Sequence, residues 1–571
     1  MGDPSPGGSS ADPLLEALTD LRRLIASLSL TVGVEGAESA RRLRDELVSQ
    51  LDDYLIPRAA SLNAPLLAVV GGSTGAGKST LVNSLVGEEV SAAGVLRPTT
   101  TAPVLVCSPG DVRWFETDRV LPSLRRFTGG GPPAGAHVKL VVHPRVPDGV
   151  ALLDAPDIDS VVKKNRVLAG ELLRAADMWL FVTTAARYAD AVPWEFLREA
   201  SRRSMSLAVV LNRVPAPGLT AVKDDLARML NEAGFAHTPL FPLPETSLDE
   251  GLVPEASLAS LRNYIDRLAG DAQVRAETIR RTLDGALADL GPRAEALANH
   301  VEEEIEAASR LQDWVAAVYD KAVEEARDAL AGGDLLRGEV LARWYELVGT
   351  GDLMRAVQGR ITWLRDRVVS FITGREATAE EVRAAVETTL ETLIVGLAAR
   401  AAERAVATWE MSPAGKALLE GRGGQLERPS PSLAAAATEQ TRAWQRRVLV
   451  LVSEEGASKR QLGRVLSIGV NAIGAALMLA VFAQTGGLTG GEVAIAGGTA
   501  AVGQKILEAL FGDEAVRRLT AEARADLLRR IEELLDVEAE RFFEAVDAVT
   551  PAGEEPRMLR QGVSRLQEVR A

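Results

Sequence analysis

Cysteine is nearly missing from this chain, and that removes two structural devices at once. Cys107 stands alone, so no intrachain disulfide can form, and four scattered histidines do not combine with it into a zinc-like ligand set. A reducing cytoplasm suits such a chain. Positive charge is also short, with 64 Lys and Arg against 79 Asp and Glu and a formal charge of −15. This balance argues against a nucleic-acid partner, because neutralising a phosphate backbone needs a basic surface. The first residues, MGDPSPGGSSADP, hold no basic segment followed by an apolar run, so residues 1–12 are expected to be a disordered leader rather than a secretory signal. Pro6 stands where N-myristoylation wants Ser or Thr. Long apolar runs are missing too, with a single exception at residues 465–504.

What is present is organised around VVGGSTGAGKST at residues 69–80. An apolar run over 65–70 predicts a buried strand, a Gly-rich loop follows, and residues 80–85 continue with helical spacing. Gly72, Ser73, Thr74, Gly75, Ala76, Gly77, Lys78 and Ser79 satisfy G-x-x-x-x-G-K-[ST], the phosphate-binding loop, in the strand–loop–helix setting it requires. The chemistry explains the residue types. Glycines let successive backbone N–H groups turn inward to phosphate oxygens, Lys78 reaches the β- and γ-phosphates, the Ser79 hydroxyl can ligate Mg²⁺, and the helix N-terminus that includes Thr80 adds positive potential.

At 571 residues the chain is long enough for several domains. Residues 14–30 and 37–55 carry apolar side chains at helical spacing (Leu14, Leu18, Leu21, Ile25; Leu43, Leu47, Leu51, Leu55), so helices over 13–62 are expected to pack with a later helical bundle. Residues 63–270 alternate short apolar runs with helical patterns, which predicts an α/β domain with a mostly parallel sheet and helices on both faces. Strands are expected at 66–70, 103–107, 138–142, 151–153, 178–182, 207–211 and 240–243, helices at 162–175, 193–203, 220–233 and 255–268, and a surface loop at 128–136. From 271 to 571 the pattern is helical, with long helices expected at 280–330, 339–373, 377–411, 433–452 and 514–548, broken by a loop at 421–431.

Three positions downstream of the loop carry information. Residues 97–101, Arg-Pro-Thr-Thr-Thr, precede a strand, and Thr100 is the favoured candidate for a threonine that closes on Mg²⁺ and the γ-phosphate, with its neighbours as alternatives. Asp154 ends the apolar strand of LLDAPD, the place of the carboxylate that holds Mg²⁺ through water. In D-x-x-G the fourth residue is glycine; here it is Asp157, whose carboxylate would repel a triphosphate. Residues 212–215 read Asn-Arg-Val-Pro where [NT]-K-x-D would read guanine. Asn212 matches, Arg213 replaces Lys with another cation, and Pro215 replaces the base-reading Asp, so GTP is favoured over ATP but with weak discrimination.

GGSTGAGKST, RPTT, LLDAPD and NRVP, followed by a long helical region with one apolar segment, resemble the bacterial dynamin-like GTPases. The resemblance implies a GTPase head on a helical neck and stalk, a tip that enters membrane, Mg²⁺ as cofactor, GTP and GDP as ligands, and self-assembly or a paralogous GTPase partner. In that family a polar loop residue orients the attacking water, and Thr74 stands there. Ile158 follows Asp157, so no Ras-like glutamine is present, and slow basal hydrolysis is implied with Lys78, Thr74 and Thr100 as the catalytic set.

Residues 465–504 contain Glu492 as their only charge, and form two apolar segments around QTGGLTGG. A buried core pair and a membrane hairpin are both compatible with that pattern. Lys459, Arg460 and Arg464 before it and Lys505, Arg517 and Arg518 after it put both ends in the cytoplasm if it enters lipid, by shallow insertion or as a two-pass hairpin. Ala472, Ala476 and Ala480 would let two helices approach closely. The reading is a GTP-hydrolysing protein that remodels the cytoplasmic membrane; the alternative is a nucleotide-controlled switch or scaffold with little turnover.

Overall fold

A computed structural model describes residues 12–92, 102–117, 119–129, 136–160, 162–202, 204–235, 237–332, 376–420, 422–458 and 513–570. The segment with Thr100, the expected helix at 339–373 and the apolar segment 465–504 lie outside them. Packing divides the chain into two compact units. One comprises Met1–Leu30, Gly36–Glu302 and Pro551–Ala571, the other Thr31–Glu35 and Glu303–Thr550.

The first unit is built on an eight-stranded sheet of order β3-β4-β2-β5-β1-β6-β7-β8. Its strands are β1 (Leu66–Gly72), β2 (Val104–Cys107), β3 (Arg125–Phe127), β4 (His137–Val142), β5 (Val150–Asp154), β6 (Met178–Thr184), β7 (Ser206–Val214) and β8 (Leu240–Pro244). All neighbours are parallel except β2 and β5, which run antiparallel with Val104 opposite Asp154. Every residue of β1 is buried, as a central parallel strand with both faces covered must be. Alternation along it feeds two cores. Leu67 and Val69 join a cluster with Leu172, Leu197 and Leu226, while Leu66, Ala68 and Val70 join another with Leu81, Leu85 and Leu261.

Seven of the strands sit where apolar runs predict them. The eighth, β3, is three residues long at the sheet edge, and its Arg-Arg-Phe sequence carries no alternation that could announce it. It exists because β4 offers a free edge: Arg125 pairs with His137 and Phe127 with Lys139. Cys107, at the end of β2, is fully buried, and burial pushes its thiol up to about 12.

Before the sheet come α1 (Pro13–Ser27), α2 (Ala37–Gln50), a π-helical turn (Leu51–Leu55) and α3 (Ile56–Ala60). Helices α4 (Lys78–Val86), α5 (Val112–Phe115), α6 (Lys163–Arg174), α7 (Ala191–Arg202), α8 (Leu219–Glu232) and α9 (Glu255–Gly270) connect the strands. In the same unit the last helix, α16 (Glu555–Arg570), lies outside the helices expected from sequence. Its Arg565 pairs with Glu16 and Asp20 of α1 at 3.0 and 3.1 Å. Arg560 reaches Glu295 and Glu302 of α10 (Ala272–Gly332) at 2.8 and 2.6 Å.

The second unit is helical. The later part of α10, α11 (Glu376–Trp409), α14 (Leu433–Ser458) and α15 (Asp513–Asp547) share one core with Leu311, Val315, Leu397, Trp409, Trp444, Ile531 and Phe542. Short α12 (Pro413–Leu419) and α13 (Gly423–Leu426) lie between α11 and α14, so the loop expected at 421–431 contains a helical turn. Large indoles are buried without losing their hydrogen bonds: Trp409 Nε1 donates to Leu311 O at 3.1 Å and Trp444 Nε1 to Ala523 O at 2.8 Å. No helix among the described residues is long and apolar enough to cross a membrane. The fold is therefore an α/β head with a mostly parallel sheet, together with a large helical region.

Candidate nucleotide-binding site

The site lies at the carboxyl ends of the central strands, where open α/β sheets hold their ligands. Strand β1 ends at Gly72, the loop runs from Ser73 to Gly77, and α4 begins at Lys78 with Ser79 and Thr80 in its first turn. Two glycines are required by geometry. A Cβ on Gly72 would collide with the Val182 carbonyl of β6, and one on Gly77, at φ +91°, would come within 2.6 Å of Asn212 Nδ2. Gly75 is also left-handed at φ +76°, and Ala76 is fully buried.

Lys78 is buried, and its ammonium folds back over the loop, donating to Gly72 O and Ser73 O at 3.0 Å each and pairing closely with Asp157. The Asp157 carboxylate, which sequence reasoning marks only as a source of repulsion, is therefore the lysine's counter-ion in this structure. Thr74 is held as well: its N–H and hydroxyl donate to Asp159 Oδ1 at 2.6 and 2.7 Å.

Asp154 ends β5 directly opposite Val70 of β1, which places it beneath the loop. It is fully buried, and burial pushes its carboxyl up, while the Ser79 and Ser91 hydroxyls and the Lys78 ammonium pull the other way. Ser91 donates to its Oδ2 at 2.6 Å. Ser91 is itself positioned by Asn83 of α4, which accepts from the Val90 and Ser91 amides and donates to Ser91 O at 2.8 Å. Neither residue has a sequence signature. Among the described residues Asp154 Oδ1 and the Ser73 hydroxyl are buried with no hydrogen-bond partner. A buried carboxylate oxygen with spare acceptor capacity beside a serine hydroxyl is a donor set that fits a hydrated Mg²⁺.

Asn212 and Arg213 lie near the end of β7. Asn212 Nδ2 donates to Ala76 O at 2.9 Å and its Oδ1 accepts from the Arg213 amide at 3.0 Å, so this side chain ties β7 to the phosphate loop. Arg213 is exposed at φ +54°, and Pro215 begins the turn that leads into α8. The structure thus brings together the loop, Asp154, Asn212 and Arg213; Thr100 lies outside the described residues. It adds Asp157, Asp159, Ser91, Asn83 and Arg187, of which only Asp157 is marked by sequence.

No protein-family model matches the chain. A probable FZO-like transmembrane GTPase of the chloroplast in Arabidopsis thaliana is 25% identical over 252 residues, covering 42% of this chain. The match spans only 25% of that protein's length. A member of an oligomerised bacterial dynamin pair, described as sensing and tethering membranes at long range, aligns over 99% of this chain and 95% of its own, at 11% identity and a TM-score of 0.43. LeoA, a bacterial dynamin GTPase from ETEC, aligns over 97% of this chain and 93% of its own at 11% identity and a TM-score of 0.23. The chain resembles the bacterial dynamin-like GTPases.

Proposed function

We propose that this chain binds and hydrolyses GTP with Mg²⁺ and works at the cytoplasmic face of a membrane, assembling with itself or with a paralogous GTPase to remodel the bilayer. The observation that carries the nucleotide half is the geometry around Lys78: a buried ammonium on the carbonyls of Gly72 and Ser73, with Asp154 beneath the loop and a carboxylate where an incoming phosphate would sit. Ser79 and Asp154, with Thr100 from outside the described residues, would hold Mg²⁺, which supplies charge neutralisation at the phosphates. Lys78, Thr74 and Thr100 form the proposed catalytic set, residues 72–80 with Asn212 and Arg213 the nucleotide contacts. Turnover without assembly is slow in this reading. The proposed arrangement is a leader at 1–12, helices at 13–62, a GTPase head at 63–270 and a helical bundle at 271–571 carrying the apolar hairpin.

Base preference is testable directly. The Pro215 side chain cannot accept hydrogen bonds from guanine, so competition binding between GTP and ATP should show a preference for GTP that is weaker than in GTPases with an aspartate there. A clear preference for ATP would refute the GTP assignment.

The membrane half rests on residues 465–504. Leu466, Ile468, Ile473, Leu477, Leu479, Val481 and Phe482 cover more than one helical face, which suits lipid or complete burial but not a surface helix. Leu477→Asp should cost about 2.5 to 3.5 kcal/mol of insertion at mid-bilayer. The expected variant keeps its helical circular dichroism and nucleotide binding but no longer sediments with liposomes. If it unfolds instead, the segment is a protein core, and if the wild type never sediments with any nucleotide, the soluble switch replaces the remodelling reading. Turnover measured in the same samples separates the two, because assembly on a bilayer should raise it only in a remodelling GTPase.

A further inference from the structure

Arg187 lies in the turn that follows β6, and nothing in the motifs of the nucleotide site refers to it. Its guanidinium is nevertheless in contact with the phosphate loop: Nη1 donates to Thr74 O at 2.7 Å. The same side chain pairs with Asp159 at 3.2 Å and with Asp190 at 3.1 Å. The turn carrying it is anchored. The Arg187 and Tyr188 amides donate to Thr184 O at 3.0 and 2.9 Å, Trp194 Nε1 donates to Tyr188 O at 2.7 Å, and the Tyr188 hydroxyl to Asp225 at 2.8 Å.

Two cations therefore rest on successive carbonyls of one loop, Lys78 on Ser73 O and Arg187 on Thr74 O. Each is also paired to a carboxylate from one short segment after β5, Lys78 to Asp157 and Arg187 to Asp159. A phosphate entering the loop competes with Asp157 for Lys78, and since Asp159 is two residues further along, displacing one carboxylate draws on the other. Arg187 then has a loop-side position and a loosened counter-ion. Its side chain is 40% exposed, which leaves solvent-side room for it to turn toward the mouth of the loop once the pairing to Asp159 loosens.

Building on the GTPase reading above, we propose that Arg187 is a catalytic arginine supplied in cis, held by Asp159 at the edge of the phosphate loop and turned onto the γ-phosphate when GTP binds. In hydrolysis a water oxygen bonds to the γ-phosphorus as the bond to the β–γ bridging oxygen breaks. That oxygen leaves on GDP with the electron pair, and the proton of the water ends on the released phosphate. The negative charge accumulating on the equatorial and bridging oxygens is what a guanidinium stabilises, through two parallel N–H donors that a lysine cannot reproduce. This supplies a charge-stabilising group to a site in which Ile158 occupies the position of the water-orienting glutamine.

The test compares wild type, Arg187→Lys and Arg187→Ala in the full chain, measuring fluorescent GDP binding, single-turnover GTP hydrolysis and formation of the GDP–aluminium fluoride complex. The expected Arg187→Ala protein binds GDP within about threefold of wild type, hydrolyses GTP about three orders of magnitude more slowly, the lower end of the range for an arginine donated to a GTPase, and does not form the aluminium fluoride complex. Arg187→Lys keeps the charge and GDP binding but recovers only part of the rate. Unchanged hydrolysis in Arg187→Ala overturns the proposal. So does a parallel loss of GDP affinity and rate in both variants, which would make Arg187 a brace for the Thr74 carbonyl. If the wild type binds neither GDP nor GTP, the GTPase reading fails first, which is a different result from a wild type that hydrolyses GTP without needing Arg187.

Discussion

Lys78→Ala loses between about ten and several hundredfold in affinity for GTP, and loses more for GTP than for GDP. The ammonium is buried and donates to the loop carbonyls of Gly72 and Ser73. A charge pair about 4 Å apart at an effective dielectric of about 20 is worth about 4 kcal/mol before desolvation is subtracted, and each 1.4 kcal/mol is about tenfold in binding. Asp157 adds to the deficit. With its partner removed, that carboxylate stays near the loop and repels the incoming γ-phosphate, so a double variant with Asp157→Asn should regain part of the GTP affinity. Titration calorimetry with both nucleotides checks this; unchanged binding in Lys78→Ala would remove the lysine from the site, and failure of the double variant to recover would make Asp157 a bystander.

Arg58→Ala is expected to destabilise the first unit by about 3 to 5 kcal/mol, the cost of stripping the partner from a buried charge. Arg58 of α3 is 6% exposed and pairs closely with Asp177, which is fully buried just before β6. It also donates to Ala64 O and Pro65 O at 3.2 Å each, and the Leu67 amide donates to Asp177 Oδ2 at 2.8 Å. One guanidinium thus fastens the helix preceding β1 to the starts of β1 and β6. Burial pushes the Asp177 carboxyl up, and Arg58 and the Leu67 amide pull against that push. Removing Arg58 leaves the upward push less opposed. A carboxyl whose folded pKa lies above its unfolded value favours folding when protonated, so raising it further makes the deficit relative to wild type grow as pH rises from the wild-type folded pKa toward the variant's. Urea unfolding of the variant should therefore show a larger deficit at pH 8 than at pH 5, and adding Asp177→Asn should recover part of it at pH 8. A deficit below about 1 kcal/mol, or one independent of pH, would show that the pair is solvated.

Asp157 shows how a residue's chemistry can be read correctly and its role still missed. As a substitution for glycine in D-x-x-G it reads as a repulsive charge, which holds only once a triphosphate is present. In the structure the same carboxylate neutralises Lys78. Asp159 and Arg187 were less legible still. They are 28 residues apart in sequence, and only the parallel placement of β5, β1 and β6 brings the segments following β5 and β6 to the same loop. No spacing rule connects them.

The strands and α-helices of the head were legible because their apolar periodicity is local. The strand, Gly-rich loop and helix at residues 66–86 were legible because that succession is written in consecutive residues. The edge strand β3 was not, since it depends on hydrogen-bonding groups offered by β4 rather than on its own side chains. By itself the sequence determined the fold class, the Gly-rich loop between a strand and a helix, the Asp154 carboxylate at a strand end and the apolar segment at 465–504, all of them properties written in contiguous residues. Tertiary structure alone decided the order of strands, the pairing of Arg58 with Asp177, the support of Asp154 by Ser91 and Asn83, and the meeting of Thr74, Asp159 and Arg187, because these contacts join segments whose proximity is set by sheet topology and burial rather than by neighbourhood in the chain.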